Sequence, residues 1–400
     1  MAVSNVALQA YQNALETDKI SRSTGIVQKT RQDVPDSFTD TMKKSVAKVN
    51  DMQTEKKTMI KQFASGEVQN VHELMITMQK AGIAMKMRFS SKHQFTCYQK
   101  GSEYFTIQMA QACGLETTGT VTATPPLMWA DDALTVVKRM IEAGFPLATV
   151  DGYTLGATAP VTVAGEVALA NAHHMSLIVL VQLLNPGQRI SVGHFTSATN
   201  MSTGSPVFGD ISASMSNVVW NQMWRHYQIP CSNGSPGYVC PKTMDYQAGY
   251  EKAMGALMSA LSGANYILFH LGISAEMSAH PVQAILDDDI ATLIGRIVQG
   301  EEVNPTTLPL DVIKEVGPVP GHYLDSMHTL KNFRQALAMP KSVDRTTYPD
   351  WNYSGRKTAI DYAQERMEQI LSEHKPEPLA PAQEAEIERL LKEAQDVLEK

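Results

Sequence analysis

Residues 145–195, FPLATVDGYTLGATAPVTVAGEVALANAHHMSLIVLVQLLNPGQRISVGHF, decide the fold of this 400-residue chain. PLATV (146–150) and RISVGHF (189–195) are short apolar runs that are typical of buried strands. The run between them, VAGEVALANAHHMSLIVLVQLLNPG (163–187), predicts one long helix that ends at a Pro-Gly pair. A strand, a helix and a second strand in this order predict a parallel βαβ unit.

The same alternation continues on both sides of this stretch. Three more strands are predicted, namely TVTATP (120–125), IPCSN (229–233) and YILFHL (266–271). The helices predicted around them are DDALTVVKRMIEAG (131–144), SASMSNVVWNQMWRHYQ (212–228), DYQAGYEKAMGALMSALSGAN (245–265) and DDDIATLIGRIVQG (287–300). This pattern indicates an α/β fold similar to a (β/α)8 TIM barrel. A closed barrel needs eight strands, so about five predict an incomplete barrel with exposed strand edges.

Charge divides the chain into two parts. Residues 1–100 hold 15 Lys and Arg against 9 Asp and Glu, a net of +6. The chain totals of 34 and 41 leave 19 and 32 for residues 101–400, a net of −13. A change of sign predicts two units with different partners. The basic part lacks the interleaved aromatic residues that stack on bases, so we expect no nucleic-acid binding.

Composition is that of an ordinary globular protein, with 43% hydrophobic and 19% charged residues. The N-terminal sequence lacks the pattern of a signal peptide, and no apolar run reaches the ~18 residues of a membrane span. We therefore expect a cytoplasmic protein. The four cysteines form no C-x-x-C pair and predict free thiols, with a zinc site at Cys231 and Cys240 as the alternative.

The N-terminal part divides into a polar region, residues 1–36, predicted as disordered or loosely helical, and an α-helical hairpin, residues 37–90. SFTDTMKKSVAKVNDMQ, QFASGE and VHELMITMQKAGIAMKM, within residues 37–87, resemble the FliE family of flagellar basal-body adaptors. The resemblance implies flagellar rod or MS-ring partners and a basal-body location. Residues 91–119 are predicted as a junction, 120–354 as the partial barrel, and 355–400 as C-terminal helices.

Reactive groups of a parallel barrel lie where its strands end. The residues that the sequence places at or just after those ends are Asp151, Tyr153, His194, Phe195, Asn233, His270 and Glu276. Several polar and aromatic residues at neighbouring strand ends predict a binding site there.

A second resemblance covers the barrel. DGYTLGATAPVTVAGEVALANA, ISVGHFTSATNMSTGSPVFG, DYQAGYEKAM and LDVIKEVGPVPGHYLDSMHTL, read in this order along the chain, resemble the trimethylamine methyltransferase MttB family. The resemblance implies that a methyl group passes from a tertiary or quaternary amine, such as trimethylamine or glycine betaine, to the cobalt of a separate corrinoid protein. It implies no tightly bound cofactor in this chain. Only standard residues are present, which indicates the non-pyrrolysine branch and its quaternary-amine substrates.

A methylated ammonium is bound through aromatic faces and acidic side chains. The candidates for substrate binding are Tyr153, Phe195, Tyr250 and Tyr238 as aromatic residues, Asp245 and Glu251 as acidic residues, and His194, His270 and His322 as donors to a substrate carboxylate. His173 and His174, in the middle of a helix, are interpreted as a structural pair, and no metal ligand is assigned. The alternative functions are a FliE-like adaptor and an inactive fusion or truncation of the two families.

Overall fold

The computed structural model describes residues 84, 86–88, 90, 92–97, 101–269, 271–275, 278–374 and 377–398. The predicted region 1–36 and nearly all of the predicted hairpin 37–90 lie outside these residues. By compactness the chain divides into Met1–Val71 with Asn200–Ser205, and His72–Thr199 with Pro206–Lys400. Of the first unit the structure describes only a turn, in which the Asn200 side chain accepts hydrogen bonds from Ser202.

Six parallel strands form the central sheet of the second unit. With numbers that follow the chain, their order across the sheet is β1 (Gln94–Cys97), β2 (Thr117–Thr122), β3 (Leu147–Val150), β5 (Ile190–His194), β8 (Cys231–Asn233) and β9 (Tyr266–Ile267). The prediction of a parallel α/β sheet is confirmed. The central sheet has six strands, one more than the five that the sequence predicts. The additional strand, β1, lies in the predicted junction, where four residues between polar neighbours give too weak a pattern to predict.

The smaller strands form two further sheets. In the first, β4 (Thr154–Leu155) pairs with β6 (Ser197–Thr199), which pairs with β7 (Pro206–Val207). The second is the antiparallel pair of β10 (Gly272–Ile273) and β11 (Ser278–Ala279). Both follow ends of the central strands, so they add backbone where the predicted site residues lie.

Six helices follow the central strands, namely α1 (Ser102–Ala112), α2 (Asp131–Glu142), α3 (Val163–Leu184), α4 (Ile211–His226), α5 (Tyr246–Ser262) and α6 (Pro281–Gln299). Helix α1 lies in the predicted junction and was not predicted. The last five correspond to predicted helices, although α6 begins six residues before its predicted start. Helix α2 shows why the sequence predicts them well. Its first turn carries Asp131 and Asp132 and its last turn carries Arg139, which matches the helix dipole. Gly144 follows with a φ of 71°, a conformation that glycine adopts without strain.

The central sheet is curled into a half-barrel. Gly119 faces the helical layer, because a Cβ there would lie 2.6 Å from Met140 of α2. The neighbouring Thr118 therefore faces the concave side, and so does Phe95, its partner in register. Phe95 of β1 stacks on Tyr266 of β9, with ring centroids 5.2 Å apart. The two edge strands of the sheet thus bring their side chains together.

Two hydrophobic clusters fill the space between the sheet and its helices. The first joins β2 and β3 to α1 and α2, and Ile387 and Leu390 of the last helix complete it. The second contains Tyr153, Trp220 and Trp224 together with buried residues of β5, β8 and α3. This second cluster packs β5, β8 and the segment after β3 against α3 and α4.

Five more helices follow: α7 (Leu310–Val316), α8 (Met327–Ala336), α9 (Tyr348–Tyr353), α10 (Ala359–Glu373) and α11 (Pro381–Leu398). Among the described helices, α3 is long and apolar enough to span a membrane by length and composition alone. It also buries Glu166, His173 and His174, which hydrogen-bond to neighbouring elements, and such contacts are typical of a core helix.

Candidate functional site

A buried polar network lies at the ends of β3 and β5 and consists of Asp151, Glu166, His174, His194 and Ser216. Oδ2 of Asp151 lies 2.7 Å from Nδ1 of His194 and 3.2 Å from Nε2 of His174. On its other side, His194 Nε2 lies 3.0 Å from Oγ of Ser216, which donates a short hydrogen bond to Glu166. All five side chains are excluded from solvent. The network therefore ties two strand ends to α3 and α4.

The network holds a protonated imidazole between carboxylates. Burial by itself lowers the pKa of His194, but the carboxylates of Asp151 and Glu166 outweigh burial and raise this pKa to about 10. Burial by itself raises the pKa of Asp151, but the rings of His194 and His174 hold it well below its usual range. At neutral pH, Asp151 and His194 thus form an ion pair in the interior.

Aromatic packing fixes the rings of this network. Trp220 of α4 stacks on His194, with centroids 4.5 Å apart and planes 12° apart. Tyr153 places its hydroxyl 2.8 Å from Nδ1 of His173, whose other ring nitrogen lies 3.2 Å from the carbonyl of Met128. Burial raises the pKa of Tyr153 to about 12, so its hydroxyl stays protonated. These contacts hold the network in one arrangement.

Beside the network lies an aromatic cluster formed by Phe195, Phe208 and Tyr238. The centroid of Phe195 lies 5.4 Å from that of Phe208 and 4.7 Å from that of Tyr238, and the last two are 5.7 Å apart. Phe195 and Tyr238 are half-buried, so the cluster is accessible where the network is not. The backbone N–H of Phe195 donates to Oδ1 of Asp151 at 2.7 Å. The network therefore positions the cluster.

A carboxyl group adjoins the aromatic cluster. Glu251 of α5 is buried, and it accepts hydrogen bonds from the backbone N–H of Cys240 and from the side chain of Gln247. Cys240 in turn accepts through Sγ from the N–H of Phe208 at 3.2 Å. Gly209, with a φ of 79°, lies so close that a Cβ there would be 2.3 Å from Glu251 Oε2. A side chain at this position would strain the backbone and displace the Glu251 carboxyl group.

Asp151, Glu166 and His194 present potential metal-ligand atoms within 4.8 Å of one another. These atoms already hydrogen-bond to each other or to Ser216, and a cation would have to displace the proton of His194. The two cysteines of the alternative zinc site make separate contacts. Cys231 lies in the second hydrophobic cluster and donates to Asn221, whereas Cys240 contacts Phe208.

The structure brings some of the predicted site residues together. His194, Phe195 and Glu251 lie in the network, the aromatic cluster and its adjoining carboxyl group, and Tyr238 lies in the cluster. Tyr153 is fully buried in the second hydrophobic cluster, where it holds His173.

The other predicted residues make different contacts. Asp245 is exposed and caps α5 by accepting from the N–H of Ala248, which lowers its pKa. Tyr250 is half-exposed and packs on Tyr246 of the same helix. His322 is exposed and pairs with Asp325. His270 and Glu276 lie outside the described residues.

Several residues of the site were not predicted from sequence. His173 and His174 lie seven and eight positions after Glu166 on α3, so all three share one helix face with the buried apolar residues of that helix. The interpretation of the histidines as a structural pair omitted their link to the strand ends. Phe208 and Ser216 had no signal, because their positions depend on how β7 and α4 pack.

Comparison with known proteins identifies relatives of this chain. The family model described as trimethylamine methyltransferase (MTTB) matches residues 101–396. The chain belongs to the trimethylamine methyltransferase (MTTB) family. A second family model, described as flagellar hook-basal body complex protein FliE, matches residues 20–92. The two resemblances found in the sequence are thus both confirmed.

Individual members of the MTTB family resemble the chain over its barrel. Glycine betaine methyltransferase of Desulfitobacterium hafniense (strain Y51) is 30% identical over 267 residues, which are 66% of this chain and 55% of that protein. Trimethylamine methyltransferase MttB2 of Methanosarcina mazei is 32% identical over 273 residues, 64% of this chain and 51% of that protein. The chain therefore spans about half the length of the curated relatives it matches.

Proposed function

We propose that this chain binds a methylated amine at the aromatic cluster and transfers one methyl group to a corrinoid protein. The observation that carries the proposal is the cluster of Phe195, Phe208 and Tyr238 beside Glu251, at the strand ends of a methyltransferase-family barrel. Glycine betaine and trimethylamine are the substrates of named relatives, and a quaternary amine is the substrate that we propose for this chain.

The residue types of the cluster suit a cation that cannot donate hydrogen bonds. Each aromatic face attracts a quaternary ammonium by about 0.5–2 kcal/mol, depending on how far the site is desolvated. Glu251 supplies an acidic group on one side of the cluster, and two hydrogen-bond donors hold its carboxyl group in place.

The buried polar network acts as a support for this site. His194 and Asp151 are fully enclosed, so they do not touch the substrate; Asp151 orients the backbone of Phe195 instead. Because the imidazoles of His194, at the end of β5, and His174, on α3, are both hydrogen-bonded, we propose that the corrinoid comes from the partner protein. The corrinoid supplies the nucleophile that accepts the methyl group. We expect the reaction to take place in the cytoplasm.

The proposal is tested by titrating the full chain with tetramethylammonium and with glycine betaine in a calorimeter. Phe195→Leu keeps an apolar side chain but removes one aromatic face, so we expect affinity to fall about 2–30-fold. Tyr250→Leu is the matched control, since Tyr250 is an aromatic residue of α5 that lies against Tyr246. We expect no loss of affinity in that variant.

Two results would contradict the proposal. One is the absence of binding by the folded wild-type chain, and the other is an equal loss of affinity in the Phe195 and Tyr250 variants. Methyl transfer is then measured with the corrinoid protein and a reductant. Binding without transfer would separate the cation site from the activity of the complete reaction.

A FliE-like adaptor function is the second candidate, and the match of residues 20–92 favours it. These residues lie almost entirely outside the described part of the chain. Co-purification of the full chain with flagellar basal bodies would support this function, and its recovery only in the soluble fraction would oppose it.

A further inference from the structure

A further buried polar network joins α5, α6 and a backbone carbonyl. Lys252 of α5 is fully excluded from solvent, and its ammonium donates to the carbonyl oxygen of Gly237 at 3.2 Å and to Oδ2 of Asp287 at 3.0 Å. Oδ1 of Asp287, on α6, accepts from the side chain of Gln283 at 2.8 Å. The centroid of the Phe269 ring lies 6.0 Å from the ammonium. A lysine is almost never fully buried unless it is paired, and here one of its donors also binds the backbone.

The carbonyl that Lys252 binds belongs to the residue before Tyr238. Ser235–Gly237 is a short 3-10 helix, and Tyr238 follows it as part of the aromatic cluster. Glu251, the neighbour of Lys252 on α5, accepts from the backbone N–H of Cys240 at 3.2 Å. Two adjacent side chains of opposite charge therefore hold the backbone on both sides of Tyr238, one at a carbonyl and the other at an N–H.

The loop after β9 contacts the same segment. Gly272 lies so close that a Cβ there would be 2.9 Å from the carbonyl oxygen of Gly237. The N–H of Ala275 donates to the carbonyl of Val239 at 2.7 Å, and Ala275 makes this contact with a φ of 61°. A residue other than glycine keeps such a backbone conformation only where the surrounding structure imposes it. The Gly237 carbonyl is therefore contacted both from α5 and from this loop.

We propose that Lys252, paired with Asp287, positions Tyr238 to bind the methylated amine, an inference that rests on the proposed function. An aromatic ring attracts a cation only when its face is presented to the charge, so the backbone that carries Tyr238 sets how much this ring contributes. Lys252 is enclosed and does not touch the substrate. It acts through the Gly237 carbonyl, and Asp287 supplies the countercharge that allows an ammonium to be buried there.

The test replaces the ion pair by apolar residues of similar size in the full chain. Lys252→Met/Asp287→Leu removes the donor to Gly237 but leaves no buried charge unpaired, so the fold is retained. Calorimetry gives the affinity for tetramethylammonium, and urea denaturation gives the stability. Tyr238→Leu removes one aromatic face and should lower the affinity about 2–30-fold. We expect the double variant to lose at least half of that amount on a logarithmic scale, although its stability is largely recovered relative to Lys252→Met.

Combined substitutions show whether Lys252 acts through Tyr238. In the Tyr238→Leu background, Lys252→Met/Asp287→Leu should lower the affinity less than about twofold further, because the ring that Lys252 positions is absent. The matched control is Arg139→Met/Glu103→Leu, which replaces the ion pair between α2 and the buried carboxylate of α1 in the same way. We expect no change of affinity in this control. Binding like the wild type by the Lys252 double variant, or losses that add, would overturn the proposal.

Hydrogen exchange gives a measurement that does not depend on the amine. Mass spectrometry of peptides that cover residues 235–241 should show faster amide exchange in the Lys252 double variant and wild-type exchange in the Arg139 control. Unchanged exchange in both variants overturns this inference even if the wild-type chain binds tetramethylammonium. Absence of binding by the wild type refutes the proposed function and the inference with it, so the two failures are distinguishable.

Discussion

The substitution Asp151→Asn tests whether the buried ion pair supports the site. Oδ2 of Asp151 contacts both His194 and His174, and Oδ1 accepts the N–H of Phe195. An asparagine keeps the shape and retains one acceptor, but it leaves His194 without its closest countercharge. Removal of one partner of a buried ion pair costs about 3–5 kcal/mol. For a domain of this size, that corresponds to a fall in Tm of about 6–20 °C.

The pH dependence separates the ion pair from simple packing. The pKa of Asp151 is lowered on folding, so its contribution is present above its ordinary value of 3.8 and is lost as pH falls further. The pKa of His194 is raised, so its contribution is complete below its ordinary value of 6.5 and is lost as pH rises to about 10. The cost of Asp151→Asn should therefore be largest between about pH 4 and 6.5 and should shrink towards pH 10.

The assay is thermal and urea denaturation of the wild type and the variant from pH 4.5 to 10. Asp245→Asn is the control, because Asp245 is an exposed helix cap and asparagine caps helices equally well, so we expect little change. A cost below about 1 kcal/mol at pH 6, or a cost that does not vary with pH, would refute the reasoning that Asp151 holds a charged His194.

Three further changes test the surroundings of the site. The ammonium of Lys252, on α5, lies 3.0 Å from the buried carboxylate of Asp287, on α6. Lys252→Met leaves this carboxylate without its partner, and should lower the free energy of unfolding in urea by about 3–5 kcal/mol. Adding Asp287→Leu should recover more than half of that cost, and no recovery would contradict the ion-pair argument. Gly209→Ala should destabilise the fold by about 1–2 kcal/mol and weaken tetramethylammonium binding, since it strains a positive φ and displaces Glu251. Gly249→Ala, on an open helix face, should stabilise it by about 0.5–1 kcal/mol in the same assay.

The candidate site shows how far sequence reasoning could reach. His194 and Phe195 were placed at a strand end because strand periodicity identifies the last residue of β5. Their separate roles were not predictable. His194 lies on the face of the sheet that packs on α4 and is enclosed, whereas Phe195, one residue later, joins the accessible cluster. Alternation assigns residues to two faces, but it does not say which face a helix covers.

Sequence alone determined the family, the parallel βαβ alternation and most helix limits, because these depend on local periodicity and on motifs that keep their order along the chain. Only the tertiary structure decided that Glu166, His174 and Asp151 share one network, and that Glu251 rather than Asp245 adjoins the aromatic rings. Such groupings depend on the packing of helices against a curled sheet. That packing is set by the shapes of many side chains at once, and no local pattern records it.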